Sequence, residues 1–191
     1  MYQDIWVKGK VIQKGRRECD NRYNKIKEYL TKYHFNEPFT VLDIGANFGY
    51  FSFRIAEDFD ASVTMIESNS EINEIVKQND NDKVKLINQH VSVKDLKRIM
   101  QGENFDVILA LSILHHFENY EEIIDTMLNA SKLSFIEASA MEEAKGGCNS
   151  HLVNGIMNNL QARNPEILTH TNNIRNLGMR PLMVFNNSKK I

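Results

Sequence analysis

Val41-Leu42-Asp43-Ile44-Gly45-Ala46-Asn47-Phe48-Gly49 is the stretch on which the reading of this chain turns. Thr40 to Ile44 is a short apolar and β-branched run broken by one acid, as in a buried strand. Behind it Phe48, Phe51, Ile55 and Ala56 fall on one helical face. A strand therefore passes into a helix through a glycine-bounded turn. Gly45 permits the tight turn and close approach of a ligand, while Gly49 lets the helix start near the strand. A dinucleotide site has G-x-G-x-x-G at this point, with pyrophosphate at the helix N-terminus. This chain has G-x-x-x-G, with Asn47 where the second glycine would stand. Asp43 puts a carboxylate at the strand's end, which suits a cationic amine and sulfonium better than a diphosphate.

Strand and helix signals alternate outward from this turn. A helix with Tyr23, Ile26, Leu30 and Tyr33 on one face precedes it, with Asp20 or Asn21 as N-cap. Strands are predicted at Ala61 to Ile66, Val84 to Ile87, Phe105 to Leu111 and Leu133 to Ala138. Helices are predicted around Ile72 (with Ser68-x-x-Glu71 resembling a capping box), over Val93 to Met100 and Tyr120 to Ala130, and from Leu152 to Leu160. A short helix ending at Gly178 and a strand over Pro181 to Phe185 close the pattern. Alternation of this kind predicts a single Rossmann-like, doubly wound α/β sheet, mainly parallel. Ligands of such sheets lie beyond the carboxyl ends of the strands. Glu67 ends the second strand about 20 residues past the turn, where a nucleoside-binding fold needs an acid for the ribose hydroxyls. The plainer alternative is that it favours the next helix's positive end.

The chain has 191 residues, 42% hydrophobic and 25% charged, which suits one globular domain spanning 1–191. We divide it into an N-terminal segment and helix (1–37), a cofactor-binding core (38–138) and a lid region with the C-terminal elements (139–191). A net charge of -2 gives no basic excess for nucleic acid or anionic membrane. Two distant cysteines, Cys19 and Cys148, argue against a disulfide framework or zinc site, so no metal is expected. No apolar signal region or membrane-length stretch is present, and a cytoplasmic location is expected.

The motifs VLDIGANFGYFSFRIA, MIESN and FDVILALSILHHF resemble those of class I S-adenosylmethionine-dependent methyltransferases, over roughly Asn21 to Ala138. The resemblance implies S-adenosylmethionine as cofactor. It implies that Asp43, Gly45, Ala46, Asn47, Phe48 and Gly49 hold its methionine portion, and that Glu67 with Ser68 binds the ribose. By the same likeness Asn88 or Gln89 meets the adenine amine, and Leu111 and Ser112 lie along the cofactor near the methyl group. The family's sheet ends in an antiparallel hairpin. After Gly178 room remains for about one strand, so the last antiparallel strand is expected to be missing or the chain shortened.

His115 and His116 follow the fourth core strand, where an imidazole can take a proton from an acceptor hydroxyl or amine. Equally, one of them caps the next helix or packs under the cofactor. Arg17-Glu18-Cys19-Asp20-Asn21-Arg22 reads either as a solvated charge run or as R-x-C-x-x-R. The latter is similar to the methyltransferase domain of bacterial O-antigen chain terminators, which methylate a saccharide end or its phosphate. That likeness implies that Arg17 or Arg22 binds the cofactor carboxylate or an anionic acceptor, with Arg17 the candidate for the cofactor and Arg22 for the acceptor. Glu137, ending the fifth core strand, is a further candidate for the acceptor. Gly146-Gly147 marks a lid within Ser139 to Arg163.

The expected function is methyl transfer to an oxygen or nitrogen of a small molecule or saccharide or phosphate end. Alternatives are methylation of RNA ends or tRNA, which the charge disfavours, a non-catalytic or partner-dependent subunit, and a nicotinamide oxidoreductase, which Asn47 disfavours. A homodimer is compatible with the sequence.

Overall fold

A computed structural model describes residues 1–35, 38–145 and 150–188. An antiparallel hairpin, β1 (Ile5–Val7) and β2 (Lys10–Gln13), opens the chain. Then come α1 (Asp20–Tyr33), β3 (Thr40–Ile44), α2 (Tyr50–Phe59), β4 (Ser62–Ile66), α3 (Ile72–Asn79), β5 (Val84–Ile87) and α4 (Val93–Gly102). They are followed by β6 (Val107–Leu111), α5 (Tyr120–Ala130), β7 (Leu133–Glu137), α6 (Ser150–Gln161), β8 (Glu166–Asn172) and β9 (Met179–Asn186).

The main sheet has seven strands in the order β5-β4-β3-β6-β7-β9-β8. β3 to β7 are parallel; β9 runs antiparallel to both β7 and β8. Alternate residues of each strand feed two separate cores, as a period of two requires. Val41, Val63, Leu109 and Phe135 pack with α1, α2 and α3 on one face. Leu42, Ile66, Ile108 and Ile136 pack with α4, α5 and α6 on the other. Both faces are therefore covered, which explains the unbroken apolar run of β6. The fold is the expected doubly wound one, with its crevice where β4 and β6 flank β3.

Four expectations are corrected. The last antiparallel strand is present. Residues read as a short helix before Gly178 instead form β8, whose Ile167, Thr169 and Thr171 favour extended backbone. The turn after it is organised by Asn173, whose Oδ1 accepts from the backbone N–H of Arg175 and Leu177, both at 2.9 Å. Second, the N-terminal segment, read only as leading into a helix, also forms the β1–β2 hairpin. Third, the capping box belongs to α4, where Ser92 and Asp95 bond reciprocally; Ser68 makes no cap for α3. Cys19, not Asp20 or Asn21, is the N-cap of α1. The candidate lid residues Gly146-Gly147, and Cys148, lie outside the described residues. No described helix is long and apolar enough to cross a membrane.

Candidate active site

The loop between β3 and α2 is held by its own backbone. Gly45 and Ala46 donate N–H bonds to Ile66 O at 2.9 and 3.0 Å, tying it to the end of β4. Gly45 and Gly49 both have φ +74°, and an added Cβ would meet Ile113 Cδ1 or Phe53 Cε2 at 2.7 Å. Each glycine is thus required both by its backbone angle and by close packing. The loop faces a cavity of about 680 Å³ across the carboxyl ends of β3, β4 and β6. That size lies within the usual range of small-molecule sites.

Gly45, Asn47, Glu67, Ser68, Gln89, Leu111, Ser112, His115 and His116, all anticipated from the sequence, line this cavity. Glu67 Oε2 accepts the Asn47 backbone N–H at 2.8 Å and Oε1 accepts that of Asn69 at 2.8 Å. Two backbone donors hold the carboxylate in place while it keeps lone pairs for a ligand.

Other expected residues stand behind the wall. Asp43 lies beneath the loop and accepts the Ser52 hydroxyl at 2.6 Å, so it does not meet a ligand directly. Burial pushes its pKa up to about 7, opposed by the Ser52 bond and aided by Glu67. Ala46 and Phe48 are core residues, and Gly49 starts α2. Asn88 turns away: its amide donates to Glu67 O at 2.8 Å and accepts from Asn73 at 2.7 Å. Of the Asn88 and Gln89 pair, only Gln89 is on the cavity wall.

Arg17, Arg22 and Glu137 are likewise internal. Arg17 Nη2 donates to Glu137 Oε1 at 2.5 Å and to Thr171 at 2.8 Å, and Arg22 Nη1 donates to Glu137 Oε2 at 3.0 Å. Ser112 also donates its hydroxyl to Glu137. Neither arginine nor Glu137 lines the large cavity, so the roles expected for them at cofactor and acceptor give way to a buried cluster. Its position explains why: Ser112, at φ +62°, is the cavity-facing turn that this cluster supports from behind.

His115 and His116 sit in a 3₁₀ turn, with ring centroids 4.3 Å apart. Burial pushes His115 down to about 4, with His116 and Arg180 adding to the shift. Burial also lowers His116, against the pull of Glu67. Both imidazoles are therefore neutral near pH 7 and able to accept a proton. His115 Nδ1 lies 3.5 Å from the Ser139 hydroxyl.

Sequence reading missed Tyr2, Gln3 and Arg180, which complete the wall. They arrive from the first residues and from β9, and no periodicity or spacing relates them to the glycine loop. The buried oxygens Gln3 Oε1 and Asn47 Oδ1 have no hydrogen-bond partner within the protein. Both are acceptors that require a donor. An amine-bearing, hydroxyl-bearing nucleoside supplies donors; a diphosphate supplies none. Among the described residues no cluster could hold a metal ion.

Residues 42–133, just under half the chain, match the family description "Methyltransferase domain". Over that stretch the chain is similar to methyltransferase domains. The orphan acceptors, the glycine loop and Glu67 fit that cofactor. The bifunctional kinase-methyltransferase WbdD has a similar fold, with a TM-score of 0.73 at 17% identity, over 91% of this chain and 40% of that one. The chain therefore spans less than half of WbdD's length. The N-terminal domain of EvdMO1 with SAH bound is similar with a TM-score of 0.67 at 13% identity, over 97% of this chain and 90% of that one. The same domain in the presence of SAH and D-fucose matches at 12% identity with a TM-score of 0.67, again over 97% of this chain and 90% of that one. No curated protein matches the chain by sequence.

Proposed function

We propose that the protein methylates a hydroxyl oxygen of a small, saccharide-like acceptor. The observation that carries this reading is one cavity holding both the Asn47–Glu67 anchor and the neutral imidazole of His115. When bound, the cofactor supplies a methyl group on a sulfonium, a leaving group that departs uncharged. Glu67 would grip the ribose, Gln89 the adenine edge, and Gly45 with Asn47 the methionine portion. Leu111 and Ser112 would run alongside, their turn fixed by Glu137. His115 would take the acceptor's hydroxyl proton, and the surrounding wall would align the two partners and limit water. The names of the similar structures support a sugar, since one is of EvdMO1 in the presence of D-fucose.

The test is transfer of tritiated methyl from S-adenosylmethionine to fractionated cell extract. Label should enter a small-molecule or saccharide fraction, and His115→Gln should slow it by about 10²-fold, the lower range for a lost proton acceptor. Label confined to RNA or protein would refute the proposed acceptor.

A further inference from the structure

Two residues of the cavity wall, Tyr2 and Arg180 on β9, come from opposite ends of the chain, and Glu143 in the turn Met141–Lys145 backs Arg180. Arg180 Nε donates to Glu143 Oε1 and Nη2 to Glu143 Oε2, each at 2.7 Å, a two-point fork. Its Nη1 donates to the Tyr2 hydroxyl at 3.2 Å. Glu143 is fixed on its other side by the Ala140 backbone N–H at 2.8 Å. The pair is largely shielded, with side-chain exposures of 11% and 15%. His116 senses Glu67, while its neighbour His115 senses both Arg180 and Glu143. Tyr2 and Arg180 line the same cavity as His115, the proposed proton acceptor, and this wall is taken as the methyl acceptor's.

We propose that Arg180, Glu143 and Tyr2 select a neutral, hydroxyl-rich acceptor over an anionic one, with Arg180 as the specificity-determining residue. The inference rests on the methyl-transfer reading and deepens it. The charge arithmetic favours a neutral partner, because the guanidinium is already matched by one carboxylate. Burial raises the Glu143 carboxyl, but Arg180 outweighs it and holds the group ionised. A carboxylate or phosphate arriving here would be desolvated beside a fixed anion. A sugar meets a better surface. Guanidinium has five N–H groups, of which three make the bonds just described, leaving two. Tyr2, accepting from Arg180, keeps its own O–H proton to donate. The Arg17, Arg22 and Glu137 cluster packs behind this wall, with Arg17 bonding Thr171, the β8 partner of Arg180, and none of the three lines the cavity.

D-galactose and D-galacturonate differ only in a hydroxymethyl group against a carboxylate, and serve as probes. Their binding to the SAH-loaded protein is read by saturation-transfer NMR titration. D-galactose should bind about tenfold more tightly than D-galacturonate, equivalent to ~1.4 kcal/mol. Glu143→Gln should abolish or invert that preference, and Arg180→Met should weaken D-galactose about tenfold while SAH affinity is unchanged. Should Arg180→Met fail to fold, Arg180→Lys, which keeps the charge and loses the fork, must show the same loss. Equal or tighter binding of D-galacturonate by the wild type overturns the inference. So does unaltered D-galactose binding in the Arg180 variants, or no binding of either sugar while SAH is bound. Failure of SAH itself to bind would instead strike the methyl-transfer reading.

Discussion

At the scale of single residues, Asp43 and His115 put opposite slopes into the pH dependence of stability. Asp43 titrates near pH 7 when folded and near 3.9 when unfolded. Between those values the folded protein keeps a proton that the unfolded chain has lost. The stabilisation from this proton is complete below about pH 3.9 and is lost as pH rises toward 7. His115 is the reverse. Its folded value of about 4 lies below the 6.5 of an ordinary imidazole. Its contribution is present above pH 6.5 and lost as pH falls toward 4. Urea denaturation across this range checks both. The stability of wild type relative to Asp43→Asn should fall with rising pH, by on the order of 4 kcal/mol in total. Relative to His115→Gln it should rise. Parallel curves for wild type and either variant would show that group to be unperturbed. Gly45→Ala is a further residue-scale test. Its φ of +74° and the 2.7 Å approach to Ile113 predict strain of about 1–3 kcal/mol, seen as a lower midpoint in the same titration.

At the scale of elements, the central parallel strands were legible because each carries its own burial signature. β6 reads Val-Ile-Leu-Ala-Leu and is buried on both faces. β3 ends in a glycine that only a turn explains. The edges were harder. β8 is mostly exposed and owes its conformation to pairing with β9, a non-local partner that local periodicity does not reveal. The N-terminal hairpin is similar. The same distinction separates the site residues. Gly45, Asn47 and Glu67 follow from one turn and one strand end, whereas Tyr2 and Arg180 reach the cavity only through tertiary packing. Arg17 and Arg22 were legible as a motif but not as a buried pair, because exposure is not written in charge. Their ion cluster joins the N-terminal segment and α1 to the ends of β6, β7 and β8. Glu137→Ala would leave two buried guanidinium groups facing no anion, a loss of about 3–5 kcal/mol. Chemical denaturation should show it. A change below about 1 kcal/mol would mean that water already compensates these charges.

At the scale of the whole molecule, the protein is a seven-stranded platform whose strand ends, loops and first residues enclose a cavity of about 680 Å³. Its placement follows from strand order: β4 and β6 diverge on either side of β3, and the crevice between their connections is left open. The two apolar layers fix the platform, so the loops can carry chemistry. What the account depends on most is that a nucleoside with amine and hydroxyl donors lies across those strand ends, anchored by the glycine loop and Glu67. Isothermal calorimetry with S-adenosylhomocysteine measures this directly. Saturable binding of one ligand per chain is predicted, weakened by about 2 kcal/mol in Glu67→Ala through loss of hydrogen bonds to a charged acceptor. Absence of binding heat up to millimolar ligand, or a dissociation constant unaltered by Glu67→Ala, would contradict it.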